Sequence, residues 1–278
     1  MTSRDVTVVL SGGGAKAAAH LGAARALAEA GLTPVRYVAT SMGAVMAAGL
    51  ASGMPEPDLL ARLTELGRRG IARDRFAVLR GLFARSLLRP RPFRRAIEGL
   101  LEARRFADLK VPVTVTVTDL DSGELLLYGA GARDAPLVDV LMASCALPLY
   151  FPPVLLDGHR CGDGGLRGVL PLDAAAHAGV ERVVAVDVGP GFELAAGAPS
   201  DDAPPLVRAH DEAVGTLMAA HTSEQLARWR AETGRPPLTY VRPAIERYAT
   251  FRIERMRDYA EQGYRATRDA LARSAPRT

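Results

Sequence analysis

The chain has 278 residues, of which 48% are hydrophobic and 24% charged, a composition typical of a globular protein with a sizeable core. Two cysteines, Cys145 and Cys161, are too few for a disulfide framework, and no Cys/His cluster has the spacing of metal ligands. The formal net charge of +4 is modest, and the first apolar run is too short for a signal peptide. The weakly charged stretches 37–54 and 137–156 do not predict membrane spans, because the first is too polar and the second contains Asp139 and a run of helix breakers. We therefore expect a soluble, cytoplasmic protein without a structural metal.

The N-terminal part of the sequence alternates short strands with helices. Val6–Leu10 is a β-branched run that predicts a strand, and Ala15–Ala30 predicts a helix that a glycine ends. A second strand is predicted at Val35–Ala39, and Ser41 begins a second helix that stops at Gly53. This order predicts a parallel pair of strands joined by a right-handed crossover.

The rest of the sequence continues the alternation. The clearest strand is Val111–Leu120, and Glu124–Gly129 is predicted to pair with it as a hairpin. A strand at Val154–Leu156 leads to a glycine-rich turn at Gly162–Gly165. The remaining predictions are strands at Arg182–Gly189 and Leu238–Pro243, a flexible loop at 189–205, and helices at Pro136–Ala146, Leu172–Ala178, Pro205–Glu232 and Phe251–Ala272.

These elements predict the domain organisation. We expect a single α/β domain over residues 1–278, in which a mostly parallel central sheet is flanked by layers of helices. Its motif-bearing core is predicted at about residues 6–189, a helical cap or insertion at about 55–108, and C-terminal helices at about 205–272.

Positive charge is concentrated between Arg68 and Asp108. This segment holds twelve arginines and four acidic residues, and aromatic and aliphatic side chains are interleaved with the arginines. Such a pattern favours contact with an anionic membrane or a lipid site, although a solvated pair of helices would have the same composition. No nucleic-acid-binding motif accompanies the charge, so we expect no nucleic-acid partner.

The stretch LSGGGAKAAAHL places three consecutive glycines, Gly12–Gly14, between the first strand and the first helix. The first and third of them, with Ala17, fit the G-x-G-x-x-G/A fingerprint of dinucleotide-binding folds. That fingerprint also needs an acidic residue at the end of the second strand, where this sequence has Thr40 and Ser41. No Gly-Lys-Ser/Thr follows at the spacing of a phosphate-binding loop. The pattern therefore argues against a nucleotide cofactor.

Ser41 stands in ATSMG, between the second predicted strand and its helix. This is the layout of a nucleophile elbow, in which a sharp turn exposes the serine Oγ near a helix N-terminus. The small residues Ala39 and Gly43 let the strand and the helix approach closely. Because both strand-to-helix turns of a parallel pair lie at the same sheet edge, the amides of Gly12–Gly14 can face Ser41 as an oxyanion hole. A serine at a helix start is also a common N-cap, which is the structural alternative.

A serine nucleophile needs a group that accepts its proton. The chain has five histidines, which are His20, His159, His177, His210 and His221. His20 and His177 lie in predicted helices, where packing roles are favoured. Asp163 follows a strand in the glycine-rich stretch CGDGGLRG, so its carboxylate can project into a cleft. A plain Asp-Gly turn is the alternative interpretation of that stretch.

Together these motifs resemble those of the patatin-like phospholipase family, especially its small bacterial members. GGGAKA at Gly12 to Ala17 is similar to the family element G-G-G-x-R/K-G, ATSMG at Ala39 to Gly43 to G-x-S-x-G, and DGG at Asp163 to Gly165 to D-G-G/A. The stretches VTDLDSGELLLY and LMASCALPLYFPPV are similar to family sequences as well. The resemblance covers about residues 6–189 and implies a patatin-like α/β fold.

The resemblance also implies a serine hydrolase that cleaves lipid acyl esters, of the phospholipase A, lysophospholipase or carboxylesterase type, without a metal or other cofactor. Its Ser–Asp dyad would be Ser41 as nucleophile and Asp163 as base, with an oxyanion hole from the amides of Gly12, Gly13 and Gly14. The residues expected to support this site are Ala15, Lys16, Ala17, Ala39, Thr40, Met42, Gly43, Gly164 and Gly165. Ala17 and Ala39 each replace a glycine of the family motifs, a mild change where the local φ is negative.

Two other functions fit parts of the sequence. The order Ser41, Asp163 and then His177, His210 or His221 also permits a Ser–His–Asp triad. The two alanine replacements also suit a lipid-binding or regulatory protein of the same fold with weak or no activity.

Overall fold

The centre of the molecule is a sheet of eight strands. The computed structural model describes residues 4–70, 86–176, 181–193, 205–247 and 250–274. The strands are β1 (Asp5–Leu10), β2 (Thr33–Thr40), β3 (Val113–Asp119), β4 (Leu125–Gly129), β5 (Val154–Leu156), β6 (His159–Asp163), β7 (Val183–Val186) and β8 (Leu238–Val241). They lie in the order β5-β6-β3-β2-β1-β7-β8, and β4 also pairs with β3. The pairs β2–β3, β1–β2, β1–β7 and β7–β8 are parallel, whereas β3–β4, β3–β6 and β5–β6 are antiparallel.

Helices cover both faces of this sheet. They are α1 (Ala19–Glu29), α2 (Met42–Ala51), α3 (Glu56–Gly70), α4 (Pro90–Leu100), α5 (Leu137–Ser144), α6 (Gly165–Gly168), α7 (Leu172–Ala176), α8 (Pro205–Ala231) and α9 (Met256–Ser274). Short 3-10 helices occupy Gly14–Ala18, Phe106–Asp108 and Ile253–Arg255. Within the described ranges, no helix combines the length and the apolar character needed to cross a lipid bilayer.

Two hydrophobic cores lie on opposite sides of the sheet because neighbouring residues of a strand point to opposite faces. Val8 of β1 packs into the larger core, with buried residues of α1, α2, α5 and α9. Val9 packs into the smaller core, with Leu226 and Trp229 of α8. The predicted architecture, a mostly parallel sheet between layers of helices, is confirmed.

Several predicted element boundaries are corrected by the structure. The first helix begins as a 3-10 turn at Gly14, in which the Lys16 N–H bonds to the Gly13 carbonyl, and α1 itself begins at Ala19. The last helix begins at Met256 rather than Phe251. The strand β6 was not predicted. Of the other predictions, residues 177–178 of the helix predicted at Leu172–Ala178 and residues 194–204 of the predicted loop lie outside the described residues.

The sheet brings the ends of β2 and β6 together. The strand β2 runs parallel to β3 and ends with Thr40 opposite Thr116, whereas β6 runs antiparallel to β3 and ends with Asp163 opposite Val117. Since β4 pairs with residues 114–118 along one edge of β3, β2 and β6 share the other edge. The two strands therefore meet end to end, and the residue after Thr40 lies beside Asp163.

Candidate active site

Ser41 occupies a strained turn between β2 and α2. Its backbone angles are φ 55° and ψ −133°, a conformation that non-glycine residues rarely adopt and that costs about 1–3 kcal/mol. The turn is tight because α2 packs directly on the end of β1: a Cβ added to Gly43 would lie 2.3 Å from the Ser11 carbonyl oxygen. The sequence predicts a sharp turn at Ser41 in which Gly43 lets the strand and the helix approach closely, and the structure has a sharp turn and a close approach at these residues.

Asp163 is the hydrogen-bond partner of this serine. Ser41 Oγ donates to Asp163 Oδ2 at 2.8 Å, and the Gly165 amide donates to Oδ1 at 2.7 Å. The backbone of Asp163 is also fixed, since its N–H donates to the Ala146 carbonyl at 3.0 Å and its carbonyl accepts from Thr118 Oγ1 at 2.8 Å. Both carboxylate oxygens and both backbone groups are thus held, so the side chain is oriented before any substrate binds.

Burial sets the acidity of this carboxyl group. Desolvation raises the pKa of Asp163 from its ordinary value to about 6, against the opposing effect of the hydrogen bonds from Gly165 and Ser41. A carboxylate with a pKa near 6 is ionised at pH 7 and is a stronger base than an exposed aspartate. These are the properties of a general base that works near neutral pH.

The glycine turn lies directly beside the serine. A Cβ added to Gly12 would lie 3.1 Å from the Ser41 Cβ, and one added to Gly13 would lie 2.9 Å from the Val188 carbonyl oxygen. Gly14 has a φ of 59°, and a Cβ there would lie 2.3 Å from the Thr250 carbonyl oxygen. Gly13 and Gly14 therefore leave no room for a side chain, whereas a methyl group at Gly12 would require its neighbours to shift by a few tenths of an ångström.

The three amides of this turn differ in what they bind. The Gly12 N–H donates to the Val169 carbonyl at 3.0 Å, so it already has an acceptor. Among the described residues, no acceptor faces the amides of Gly13 or Gly14. Of the amides in the predicted oxyanion hole, two are thus free to bind an anion and one is engaged in holding the turn.

Ser144, at the end of α5, is a residue of the site that the sequence analysis missed. Its Oγ accepts the Ser41 N–H at 2.7 Å and donates to the Thr116 carbonyl at 2.8 Å. Ser144 is fully buried. The thiol of the neighbouring Cys145 lies close enough to Ser41 and Asp163 for both to influence its pKa, which burial raises. The backbone of the strained serine is therefore anchored through Ser144 to β3. A buried serine in the apolar run LMASCALP was the one signal of it in the sequence.

The remaining predicted supporting residues surround this centre. Ala17 and Ala39 are fully buried, and neither is among the described non-glycine residues with positive φ, so their methyl groups cause no backbone strain. The Ala15 amide holds the glycine turn to Thr250 at 2.7 Å. The other members each pack closely: the hydroxyl of Thr40 bonds to that of Thr116 at 2.6 Å, Met42 packs on the larger core, and a Cβ on Gly164 would lie 2.4 Å from the Thr116 carbonyl oxygen.

Lys16 is buried behind the glycine turn. Desolvation, with a smaller contribution from Arg242, lowers the pKa of its ammonium group to about 8, while Asp187 and Glu246 oppose the shift. Arg242 is engaged in an ion pair with Asp187 at 3.0 Å. Lys16 thus adds a buried positive charge near the ion pair of Arg242 and Asp187.

The described histidines are engaged away from Ser41. His20 Nε2 bonds to the Ser11 carbonyl at 2.8 Å, and burial lowers the pKa of its imidazole to about 4, so it is neutral at pH 7. His159 pairs with Asp119, His210 with Asp211, and His221 lies beside Gly168. His177 lies outside the described residues. In the described ranges, no group of three or more His, Cys, Asp or Glu side chains is arranged to hold a metal ion.

Comparisons with known proteins find relatives of this chain. Patatin-like phospholipase domain-containing protein 6 of Mus musculus is 31% identical over 197 residues, which are 68% of this chain and 14% of that protein. An uncharacterized NTE family protein of Mycobacterium bovis is 30% identical over 212 residues, which are 75% of this chain and 54% of that protein. The chain therefore spans only a part of the length of these relatives.

A solved structure shares the fold. VipD from Legionella pneumophila superposes with a TM-score of 0.55 at 16% identity, over 98% of this chain and 67% of that one. The family model of the patatin-like phospholipases matches residues 8–176, a range that contains the glycine turn, Ser41 and Asp163. The chain belongs to the patatin-like phospholipase family.

Proposed function

We propose that this protein is a serine hydrolase that cleaves acyl esters of lipids, with Ser41 as the nucleophile and Asp163 as its general base. The observation that carries the proposal is the 2.8 Å hydrogen bond from Ser41 Oγ to Asp163 Oδ2, at the meeting point of β2 and β6. The family to which the chain belongs supports lipid esters as the substrate class.

The reaction follows from this arrangement in two halves. Ser41 Oγ attacks the ester carbonyl carbon while its proton passes to Asp163, and the proton then goes to the departing alcohol. The resulting acyl-enzyme is cleaved by water, whose proton Asp163 accepts before returning it to Ser41. No histidine is needed, because the carboxylate itself reaches the serine and burial gives it a pKa of about 6.

The charge that develops on the carbonyl oxygen needs hydrogen-bond donors. We assign this role to the amides of Gly13 and Gly14, and leave Gly12 as the residue that fixes the turn through Val169. Removal of one donor from an oxyanion hole costs about a hundred- to a thousandfold in kcat. The buried ammonium of Lys16 adds to the positive potential around the turn.

The arginine-rich segment 68–108 is proposed to keep the protein on anionic membranes that contain its substrate. The support is its positive charge, since the segment holds twelve arginines and only four acidic residues. Residues 71–85 of this segment lie outside the described residues, so its structural support comes from residues 86–108.

Hydrolysis of short-chain and long-chain acyl esters by wild type, Ser41→Ala and Asp163→Asn tests the proposal. We expect both variants to lose at least about a thousandfold in kcat, because nucleophile and base act as one unit. His210→Ala and His221→Ala serve as controls and should keep wild-type rates. A dyad mechanism is wrong if Asp163→Asn retains activity while a histidine variant loses it, and equal rates in all variants would leave only a lipid-binding role.

A further inference from the structure

An apolar groove lies between α4 and the segment 142–154, which begins in the last turn of α5. It encloses about 280 Å³ and is lined by Met142, Phe151, Pro153 and Val154 on one side and by Pro90 and Arg91 on the other. The rings of Phe93 and Phe151 stack beneath it with centroids 4.9 Å apart, so α4 is held firmly against this chain. The groove is thus a formed feature of the surface with a largely apolar lining.

The rim of the groove carries unpaired positive charge. Arg94 is engaged by Asp139 and Glu98, so those acidic groups are neutralised within the protein. Arg91 is exposed, and Arg95, one turn further along the same face of α4, is exposed as well. Neither guanidinium has an ion-pair partner among the described residues. Charge at the rim is therefore available to an anionic ligand.

An exposed leucine lies on β5, the edge strand of the sheet. Leu155 follows Val154 of the groove lining and is 68% exposed, and its side chain points to the opposite face of the strand from Val154. A large exposed apolar side chain on an edge strand that also borders an apolar groove with basic residues at its rim is typical of a surface that inserts into the headgroup region of a membrane.

The groove is continuous with the candidate active site through one chain segment, residues 142–154. Met142 and Val154 line the groove, whereas Ser144 holds the Ser41 amide and Ala146 holds the Asp163 amide. The chain leading into α4 is joined to the same segment, because the amides of Leu87 and Leu88 bond to the carbonyls of Leu149 and Tyr150 at 2.9 and 3.0 Å. A lipid surface at the groove would thus lie next to the segment that positions the dyad.

We propose that this groove, with Arg91, Arg95 and Leu155, is the surface on which the protein docks to an anionic lipid bilayer. The headgroup phosphates face the two arginines, and Leu155 enters the acyl layer beside the groove. The proposal rests on the proposed lipid hydrolase function. Within the arginine-rich segment it singles out Arg91 and Arg95, and it adds Leu155 and a groove lined mainly by residues of 142–154.

Vesicle binding separates this proposal from the proposed function. Sedimentation with vesicles of phosphatidylglycerol and phosphatidylcholine, or of phosphatidylcholine alone, is measured in a Ser41→Ala background so that no lipid is consumed. The test variants are Arg91→Gln/Arg95→Gln and Leu155→Ser. The controls are Arg230→Gln/Arg257→Gln, which removes two exposed arginines elsewhere, and Leu217→Ser, which changes a leucine that is 72% exposed on α8.

We expect the arginine pair variant to bind phosphatidylglycerol vesicles about thirtyfold more weakly, with a difference that shrinks at high salt. Leu155→Ser should weaken binding to both kinds of vesicle. Each substitution, made in protein with Ser41 intact, should leave hydrolysis of a water-soluble short-chain ester unchanged.

The proposal is overturned if the test variants bind as the parent does, or if the controls lose as much affinity as the test variants. Loss through Leu217→Ser alone would place the docking surface on α8 instead. Failure of the proposed function would appear separately, as absence of soluble-ester hydrolysis in protein with Ser41 intact.

Discussion

Removing the Ser144 hydroxyl tests how the strained nucleophile is held. In Ser144→Ala, the Ser41 N–H loses an acceptor at 2.7 Å, and the Thr116 carbonyl loses a donor at 2.8 Å. A buried polar group left without a partner costs about 1–3 kcal/mol. Because Ser41 has a φ of 55°, its backbone has a strong tendency to relax once the bond from its amide is gone.

The magnitude follows from that cost. If the free energy of one unsatisfied group is needed to restore the reactive geometry, kcat falls by about five- to 150-fold. The Michaelis constant should change little, because Ser144 is buried behind Ser41 and faces no substrate. The free energy of unfolding should fall by about 2–6 kcal/mol, since two buried groups lose their partners.

Steady-state hydrolysis of a soluble ester, well below the unfolding temperature, measures both parameters. Ser223→Ala is the matched control, because its hydroxyl bonds to a carbonyl of its own helix, Ala219, at 3.0 Å, far along the chain from the site. A folded Ser144→Ala protein with wild-type kcat would refute the positioning role, and so would a variant in which only the Michaelis constant changed.

Three further predictions follow from the site. Since protonated Asp163 cannot accept the serine proton, kcat/KM should fall about tenfold per pH unit below a pH of about 6, and an unchanged rate down to pH 4 would exclude it as the base. Gly14→Ala should abolish activity because its Cβ would meet the Thr250 carbonyl, whereas Gly123→Ala, also at positive φ but with open space around it, should keep wild-type kcat. Lys16→Met should raise stability at pH 7 by about 3 kcal/mol, because a folded-state pKa of about 8 against 10.5 means that the charged lysine is penalised by burial. That gain, measured by denaturant unfolding, should disappear as the pH rises from about 8 towards 10.5, and a constant gain would contradict the burial penalty.

Local patterns were sufficient for much of the fold and for locating the residues that meet at the candidate site. The parallel pair β1 and β2, the glycine turn between β1 and α1, and the elbow at Ser41 are each encoded within a few residues by strand, glycine and helix signals. The motif at Asp163 was found for the same reason. Since the two turns follow neighbouring parallel strands, their proximity could also be derived without coordinates.

A short strand was missed although its turn was visible. HRCGD contains charged residues and a glycine, so its composition does not favour a strand. Asp157 and Gly158, just before it, have φ values of 50° and 85°, and Asp-Gly with two positive φ angles is the preferred sequence of a tight hairpin turn. This signal would have predicted β6 as the partner of β5.

The contacts that refine the site join residues remote in sequence. The bond between Ser144 and the Ser41 amide spans 103 positions, and the Gly12 amide is engaged by Val169. Neither contact has a local signature, because each arises from how α5 and the chain after α6 pack on the sheet. The sequence could therefore predict three candidate oxyanion amides, but not which of them is already occupied.

Covalent labelling by a fluorophosphonate tests the central claim, that Ser41 is activated by Asp163 alone. We predict that intact-protein and peptide mass spectrometry will find one adduct, on Ser41. The labelling rate should fall at least about a hundredfold in Asp163→Asn and remain at the wild-type value in His210→Ala. An adduct on another residue, or wild-type labelling of Asp163→Asn, would contradict the account.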